Sequence, residues 1–391
     1  MIFDKFLSLL PSELDGALIM SEENRRYFTS FPSSDGVLLI SRNGTVFLTD
    51  SRYVEAAQKK ITVCPVRLTK DLSTELPQLM SEFKINNLAV ETTRLTVARF
   101  EEFTKWMPDT GICTENYADR AIDALRMVKS DDEVKLVCEA QAIAERAFDH
   151  ILEFIKPGVT EREIQLELDY YMLRNGAEAL SFETIAVSGV NSSMPHGVPS
   201  DKKIENGDFI TMDYGAVVGG YHSDMTRTVA VGSVSEEQKK IYNTVLEAQL
   251  AAMEKMAPGV SCADADKAAR DVITDAGYGE FFGHGTGHGV GVEIHEQPRV
   301  SPRSKEILAP GHLVTAEPGI YLPGLFGVRI EDMVLITEDG SRGLTHAPKN
   351  SSYSKISPRM QDIRGFCFIC ELRLPDFRLP CRGVSLRSRY K

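Results

Sequence analysis

The sequence predicts an α/β (α+β) protein made of two domains and a tail of different composition. Its 391 residues suit two domains, and a hydrophobic content of 42% is ample for their cores. Short β-rich runs also alternate with longer runs of helical periodicity, which predicts a mixed architecture. We expect the domains to span residues 1–122 and 123–349, followed by an atypical basic tail at residues 350–391.

The first domain contains three β-rich runs. Residues 36–40 and 45–49 are separated by Arg42-Asn43-Gly44, which is a hairpin signal. Residues 88–91 predict a further strand, and helical patterns lie between these runs. We therefore expect a small α/β domain here.

Capping signals predict the helices of the second domain. Ser130 and Thr160 are each followed three residues later by a glutamate, which is typical of a capped helix start. Serines also precede two later helical runs, residues 236–256 and 262–276. The sequence therefore predicts helices after each of these four caps.

Two β-rich runs of the second domain bring a pair of acids together. Residues 209–212 lead directly into Asp213, and residues 226–231 begin just after Asp224. Gly219-Gly220 lies between the runs and allows a reversal of the chain. We therefore expect an antiparallel pair that holds the two carboxylates side by side.

Two later runs carry three more charged residues. Residues 313–316 predict a strand that leads into Glu317. Residues 328–337 alternate, so that Arg329 and Glu331 would share one face of a strand while apolar residues share the other. Such a charged pair suits a strand that lines a site.

Four carboxylates and one histidine are the candidate metal ligands. They are Asp213, Asp224, His288, Glu317 and Glu331. Taken singly, each is more often a cap or turn residue, but all five lie on β-runs or in a glycine-rich turn that would hold them rigidly. Four acids together would repel one another, and two divalent cations would cancel the four charges. Hard oxygen donors with one imidazole suit manganese, cobalt or ferrous iron better than structural zinc. The sequence therefore predicts a dinuclear metal site for hydrolysis.

Further histidines are candidates for substrate binding. His284 and His288 have the i, i+4 spacing of a helical zinc pair, but glycine at every second position from 283 to 291 makes a helix improbable. A glycine-rich β-turn that presents histidines to a pocket is the better interpretation. His196 and His295 join His284 as candidates that bind substrate or a developing oxyanion.

Charge and composition exclude several classes of function. The formal charge of −12 offers no basic surface for nucleic acid or an anionic membrane. The N-terminus lacks the pattern of a signal peptide, and no stretch is long and apolar enough to span a bilayer. Seven scattered cysteines form no disulfide framework. We expect a cytoplasmic protein.

The tail differs from the rest of the chain in charge. Residues 350–391 hold nine Lys/Arg and three Asp/Glu, a net charge of +6, which leaves −18 for residues 1–349. One back-translation of Lys349 to Lys355, shifted by a single added A, reads Lys-Glu-Leu-Ile-Ile-Leu-stop. Our hypothesis is that the tail is a disordered frameshift product, and different codons at 349–355 in the gene would exclude it.

The five ligand segments together resemble the pita-bread metallopeptidases (family M24), which include methionine aminopeptidase, aminopeptidase P and prolidase. The resemblance runs from about Arg126 to Lys349 and maps the family ligands onto the five candidates without a gap. Residues 27–36 and Asp50-Ser51-Arg52-Tyr53 are similar to the creatinase-type domain of the proline-directed branch. The resemblance therefore implies a creatinase-like N-terminal domain, a pita-bread catalytic domain and a homodimer.

The activity that this resemblance implies is that of an Xaa-Pro aminopeptidase. It would hydrolyse the bond between an N-terminal residue and a penultimate proline by means of a metal-bridging hydroxide. The alternatives are a prolidase, restricted to Xaa-Pro dipeptides, and a non-catalytic pita-bread binding protein, although such relatives typically lose ligands. The implied cofactors are two divalent ions, with Mn²⁺ favoured and Co²⁺, Fe²⁺ or Zn²⁺ as alternatives.

The resemblance also implies a role for each site residue. Glu317 would shuttle a proton from water to the leaving nitrogen, and His196 and His295 would stabilise the tetrahedral intermediate. His284 would line the proline subsite. Arg329 would position a ligand carboxylate, and Tyr321 matches a family position near the substrate.

Overall fold

The computed structural model describes residues 2–349, and the predicted tail lies outside the described residues. Within this part of the chain, two clusters of buried apolar side chains lie inside residues 3–122 and three lie inside residues 134–347. We call residues 2–127 the N-terminal region and residues 128–349 the second region. The predicted domain boundary at 122/123 lies within a helix, Tyr117–Met127, and stays a prediction.

A mixed sheet of six strands forms the centre of the N-terminal region, in the order β4-β3-β2-β1-β5-β6. Its strands are Gly16–Ile19 (β1), Val37–Ser41 (β2), Gly44–Thr49 (β3), Val66–Leu68 (β4), Asn87–Val90 (β5) and Gly111–Cys113 (β6). The predicted hairpin is confirmed, since β2 and β3 pair antiparallel and close at Ser41 and Gly44. The third predicted strand is confirmed as β5.

Helices cover both faces of this sheet. They are Ile2–Leu9 (α1), Glu22–Thr29 (α2), Val54–Lys60 (α3), Leu72–Glu82 (α4), Val97–Trp106 (α5) and Tyr117–Met127 (α6). Alternate strand residues point to opposite faces. Ala17 and Ile19 therefore pack with α1, α2, α3 and α6, whereas Leu18 packs with α4 and α5.

Long helices of the second region start at the predicted caps. They are Asp131–Phe154 (α7), Glu161–Arg174 (α8), Glu236–Lys255 (α9) and Cys262–Asp275 (α10). Ser130 and Thr160 each form a complete capping box with the glutamate three residues on, which satisfies backbone N–H groups of the first turn. No helix within residues 2–349 combines the length and the apolar character needed to cross a membrane.

Short strands of the second region build four small sheets, and the strands of two of these contain or directly adjoin the predicted ligands. The order of one is β12-β9-β8 and that of the other is β14-β13-β15-β18-β19. The strands are Ala179–Leu180 (β7), Ile185–Ser188 (β8), Phe209–Tyr214 (β9), Ala216–Val218 (β10), Tyr221–His222 (β11), Met225–Ala230 (β12), Gly287–Gly289 (β13), Glu296–Val300 (β14), Leu313–Ala316 (β15), Gly319–Leu322 (β16), Phe326–Arg329 (β17), Asp332–Thr337 (β18) and Gly340–Gly343 (β19).

The predicted pairing of the two acidic strands is confirmed. β9 and β12 run antiparallel, and Thr226 lies opposite Asp213. Asp224 comes two residues before Thr226, so both acids lie at the same end of the pair. Asp213 is inside β9 rather than after it, because its backbone also pairs with Ile185 of β8.

Two local predictions were wrong. Residues 328–337 form two strands in different sheets rather than one, because Glu331 between them donates its backbone N–H to the Thr226 carbonyl and accepts a bond from Arg227. His288 lies in a central strand, β13, rather than in a turn. Glycine there permits close packing of backbones, since a Cβ on Gly287 would lie 2.0 Å from the Thr315 carbonyl oxygen.

Arg227 of β12 connects its sheet to β18 and to the segment that follows β19. We expect its replacement to lower the free energy of unfolding of the second region. Its guanidinium is 1% exposed and contacts Asp332 at 2.8 Å, the Ala347 carbonyl at 2.7 Å and the Glu331 carbonyl at 2.6 Å. Arg227→Met would leave the Ala347 and Glu331 carbonyls buried without a side-chain donor and would break the buried pair with Asp332, which keeps Lys349 and Gln249, at a cost of roughly 3–5 kcal/mol. Urea unfolding measures this loss. Arg174→Met, at an exposed arginine, is the control, and equal midpoints for the two variants would contradict the assignment.

Candidate metal and active site

The predicted site residues line one cavity of about 610 Å³ in the second region. Nine of the ten predicted residues line it: Asp213, Asp224, His288, Glu317, Glu331, His196, His284, His295 and Arg329. Tyr321 is the exception and lies behind the cavity wall, buried against His284 and Arg329. The structure therefore brings together residues that are up to 135 positions apart in the sequence.

Three of the predicted ligands form the tightest group. One donor atom each of Asp224, His288 and Glu331 lies within 4.8 Å of the other two, a separation that a shared metal ion could bridge. Glu317 Oε1 adds a fourth donor 3.3 Å from His288 Nε2, and Asp224 Oδ2 is 3.5 Å from the same nitrogen. Four of the five candidates thus surround one small volume.

Backbone and hydroxyl contacts hold the acidic side chains in place. The Glu331 carboxylate accepts a 2.7 Å bond from the Thr226 hydroxyl, and the backbone of Glu317 donates to the Thr286 carbonyl at 2.7 Å. Thr315 donates to the Glu317 carboxylate at 3.2 Å. These contacts come from β12, from Thr286 just before β13, and from β15. The sheets themselves therefore set the spacing of the ligands.

His288 is oriented as a neutral ligand. Its Nδ1 is 3.0 Å from the Gly289 carbonyl, which is an acceptor only, so Nδ1 carries the proton. Nε2 then directs its lone pair at the carboxylates of Asp224 and Glu317. Burial lowers the pKa of His288 to about 3, so the imidazole is neutral at physiological pH. That tautomer and charge state are what metal ligation requires.

Two oxygens of the candidate carboxylates lack a partner within the described part of the chain. Asp213 Oδ1 and Glu331 Oε1 are buried and have no hydrogen-bond partner among residues 2–349. Burial, followed by the charge of neighbouring carboxylates, raises the pKa values of both Asp224 and Glu331 well above their usual range. Burial also raises the pKa of Glu317 to about 8. Divalent cations would remove this cost, so the donor set fits them.

Arg329 connects Asp213, the fifth candidate ligand, to the wall of the cavity. Its Nη2 donates to Asp213 Oδ2 at 2.6 Å, and its Nη1 donates to the Tyr321 hydroxyl at 2.9 Å and to the Pro195 carbonyl at 3.1 Å. The Tyr321 hydroxyl can then donate to His284 Nε2 at 2.9 Å. One guanidinium thus orients Asp213, the tyrosine behind His284, and the loop before His196.

Three histidines face the cavity from different segments. His196 and His295 are exposed to it, whereas His284 is more enclosed. Burial lowers the pKa of His284 to about 4, and burial also lowers the pKa of His295. The His295 ring stands edge-on to His288, with centroids 4.4 Å apart. His295 is therefore adjacent to the ligand cluster.

Arg299 is a cavity residue that sequence reasoning missed. It lies in β14, is exposed, and lines the same cavity as the histidines. None of the ion pairs at 4.0 Å or less within residues 2–349 includes Arg299. The only available signal was its place in an alternating strand between the buried Pro298 and Val300. The cavity thus offers an unpaired cation in addition to the ligand cluster.

Protein-family models match both regions of the chain. A model described as metallopeptidase family M24 matches residues 135–338, and one described as the creatinase/prolidase N-terminal domain matches residues 9–128. An Xaa-Pro dipeptidase of Pyrococcus horikoshii is 40% identical to this chain over 336 residues, which cover 85% of this chain and 93% of that protein. The similarity therefore extends over both regions.

Solved structures of two bacterial peptidases also match the fold. An Xaa-Pro dipeptidase from Bacillus anthracis superposes with a TM-score of 0.86 at 42% identity, covering 89% of this chain and 98% of that one. An X-Pro aminopeptidase from Thermotoga maritima superposes with a TM-score of 0.83 at 38% identity, covering 89% and 99%. Both similarities include the N-terminal region.

Proposed function

We propose that this chain, which belongs to metallopeptidase family M24, is a prolidase. A prolidase hydrolyses Xaa-Pro dipeptides. The fold of this chain is a creatinase-type N-terminal domain followed by a pita-bread domain, as the sequence predicted. The sequence favoured an Xaa-Pro aminopeptidase, with prolidase as the alternative. Similarity to Xaa-Pro dipeptidases supports the alternative better.

We propose that Asp213, Asp224, His288, Glu317 and Glu331 hold two divalent cations. The support is the pair of buried, unpartnered carboxylate oxygens on Asp213 and Glu331, together with the neutral lone pair on His288 Nε2. Bound cations would supply Lewis-acid assistance and lower the pKa of the attacking water. Manganese is the ion that we favour, because oxygen donors dominate the set.

Different side chains around the ligand cluster transfer the proton and stabilise the developing negative charge. Glu317 accepts a proton as water attacks the carbonyl carbon of the Xaa-Pro bond, and returns a proton to the proline nitrogen as the C–N bond breaks. His196 and His295, which face the cavity, donate to the carbonyl oxygen as it gains negative charge. Tyr321 acts through His284 and Arg329, because it does not line the cavity.

The single observation that carries the choice of a dipeptide is the unpaired guanidinium of Arg299 in the cavity. An Xaa-Pro dipeptide has a free carboxylate on its proline, whereas a longer peptide has a neutral amide there. A guanidinium binds a carboxylate through paired hydrogen bonds, and it gains nothing comparable from an amide. Arg299 would therefore favour the dipeptide.

Replacing Arg299 by methionine should weaken the binding of dipeptides selectively. A hydrogen bond to a charged group contributes roughly 1.5–3 kcal/mol, so KM for Ala-Pro should rise by roughly 10- to 100-fold. KM for Ala-Pro-amide, which has the same shape without the charge, should change little. Steady-state kinetics with Mn²⁺ measures both values. Equal changes for the two substrates would show that Arg299 does not bind the carboxylate.

An Xaa-Pro aminopeptidase is the second candidate, because the similar T. maritima structure is of an X-Pro aminopeptidase. The two activities differ in the length of peptide that the cavity accepts. Wild-type protein should hydrolyse Ala-Pro with a higher kcat/KM than Ala-Pro-Ala. The reverse order would reject the prolidase in favour of the aminopeptidase.

A further inference from the structure

The segment that carries His295 is held by two carboxylates that point away from the cavity. Ile294 and His295 line the cavity, and Glu293 and Glu296 flank them on either side. The Gly291 N–H donates to the Glu293 carbonyl at 3.0 Å, which closes a tight turn before His295. The positions of the two glutamates therefore determine where the His295 ring can lie.

The N-terminal region supplies a partner for each of the two carboxylates. Arg94, which follows β5, pairs with Glu293 across 199 positions of sequence. Arg126, near the end of α6, lies 2.9 Å from a Glu293 carboxylate oxygen and donates to Glu296 at 2.6 Å. Arg126 also donates to Asn24 of α2 at 2.8 Å. The core elements of the N-terminal region are thus connected directly to the segment at 293–296.

Most of the side chains in this ion-pair network are buried, and burial limits what the network can contribute to stability. The side chains of Arg126 and Glu296 are each 4% exposed, and that of Lys129, 2.5 Å from Glu296, is 1% exposed. A buried ion pair gains little net stability over apolar packing, and its better-attested role is to specify one geometry. The geometry specified here is the path of residues 293–296, and hence the placement of His295.

We propose that Arg94 and Arg126 are positioning residues for His295. Through Glu293 and Glu296 they hold its imidazole edge-on to His288, at the place where it can donate to the carbonyl oxygen. The N-terminal region thereby acts on the catalytic step itself. The inference rests on the proposed function, in which His295 stabilises the developing negative charge.

A second bridge between the regions provides a matched control. Arg26 pairs with Glu178 at 2.7 Å, and Glu178 also accepts a bond from the Gly219 backbone rather than from residues 293–296. If ion pairs between the regions served only to hold them together, losing either bridge would have similar consequences. If Arg94 acts through His295, only the loss of the Arg94 bridge affects catalysis.

The test compares Arg94→Ala with Arg26→Ala on Ala-Pro. Arg94 is 40% exposed, so its loss should leave the melting temperature nearly unchanged. Misplacement of His295 should lower kcat by about 10- to 100-fold with a much smaller change in KM. Arg94→Lys keeps the positive charge and should therefore retain most of the wild-type kcat. Arg26→Ala should leave kcat at the wild-type value.

A double-mutant cycle tests whether the effect passes through His295. In a His295→Ala background, Arg94→Ala should lower kcat no further, because the group that it positions is absent. The proposal would be overturned if the two substitutions lowered kcat by independent factors that multiply in the double variant. An unchanged kcat in Arg94→Ala alone would also overturn it.

An NMR readout separates this inference from the proposed activity. The chain has eight histidines, and the His295 ring signal is identified by its loss in His295→Ala. That signal should shift in Arg94→Ala and stay in place in Arg26→Ala, whatever the substrate of the protein is. An unmoved signal overturns the positioning role, whereas wild-type protein that fails to hydrolyse Ala-Pro overturns only the proposed function.

Discussion

Glu331→Gln is expected to abolish metal binding and to lower kcat on Ala-Pro by at least about 10³-fold. Glu331 Oε2 accepts from Thr226, but Glu331 Oε1 is buried without a partner beside Asp224 and His288, so this oxygen is available to a cation. Glutamine keeps the shape of the side chain but removes that charge. Metal analysis of the purified variant and steady-state kinetics measure the two losses.

The same substitution should stabilise the metal-free protein. Without cations, burial and then the charge of neighbouring carboxylates raise the pKa values of Asp224 and Glu331. Glutamine needs neither a buried charge nor a proton taken up on folding, so chelated Glu331→Gln should melt at a higher temperature than chelated wild type. Added Mn²⁺ should then stabilise wild type but not the variant. Glu338→Gln, at an exposed site, is the control for both measurements. A variant that still binds metal as wild type does would remove Glu331 from the ligand set.

Glu317→Gln should give the second-largest loss, about 10²- to 10⁴-fold in kcat, because glutamine cannot carry a proton between water and the leaving nitrogen. KM should change less than kcat, since the amide oxygen still occupies the same place. Comparison of both parameters on Ala-Pro separates proton transfer from binding. Retention of more than about a tenth of wild-type kcat would assign the proton transfer to another group.

Stability of the metal-free protein should also report on Glu317. Burial raises its pKa from 4.5 to about 8, so between these values the folded state holds a proton that the unfolded chain has lost. The free energy of unfolding of chelated wild type should therefore fall as the pH rises from 4.5 to about 8. Glu317→Gln should flatten this dependence. An unchanged slope in urea titrations across that pH range would contradict the assignment.

Local signals predicted the elements whose causes are local. The capping boxes at Ser130 and Thr160 involve residues three positions apart, and the hairpin depends on a tripeptide, so periodicity and caps located them. The Gly219-Gly220 reversal predicted that Asp213 and Asp224 would lie together, and their strands do pair. The ligand candidates were predicted for the same reason, because each lies at the end of a recognisable run, within an alternating run or beside glycine.

Contacts between distant residues explain what the sequence did not reveal. The strand predicted at residues 328–337 divides because Arg227 and Thr226 bind the backbone of Glu331 from another sheet. Arg299 lies among ordinary strand residues, and only the folded cavity shows that its charge is unpaired. Arg94 and Glu293 are 199 positions apart, and neither has a local pattern that indicates the other.

The most direct test of the proposed function is the titration of chelated wild-type protein with Mn²⁺ while Ala-Pro hydrolysis is followed. Four carboxylates that line one cavity, two of them buried, predict that activity is absent without metal and rises until about two equivalents are bound. We expect activity and bound metal to saturate together. Hydrolysis of Ala-Pro at full rate by the metal-free protein, or no binding of Mn²⁺, would contradict the proposal that these five residues form the metal centre of a prolidase.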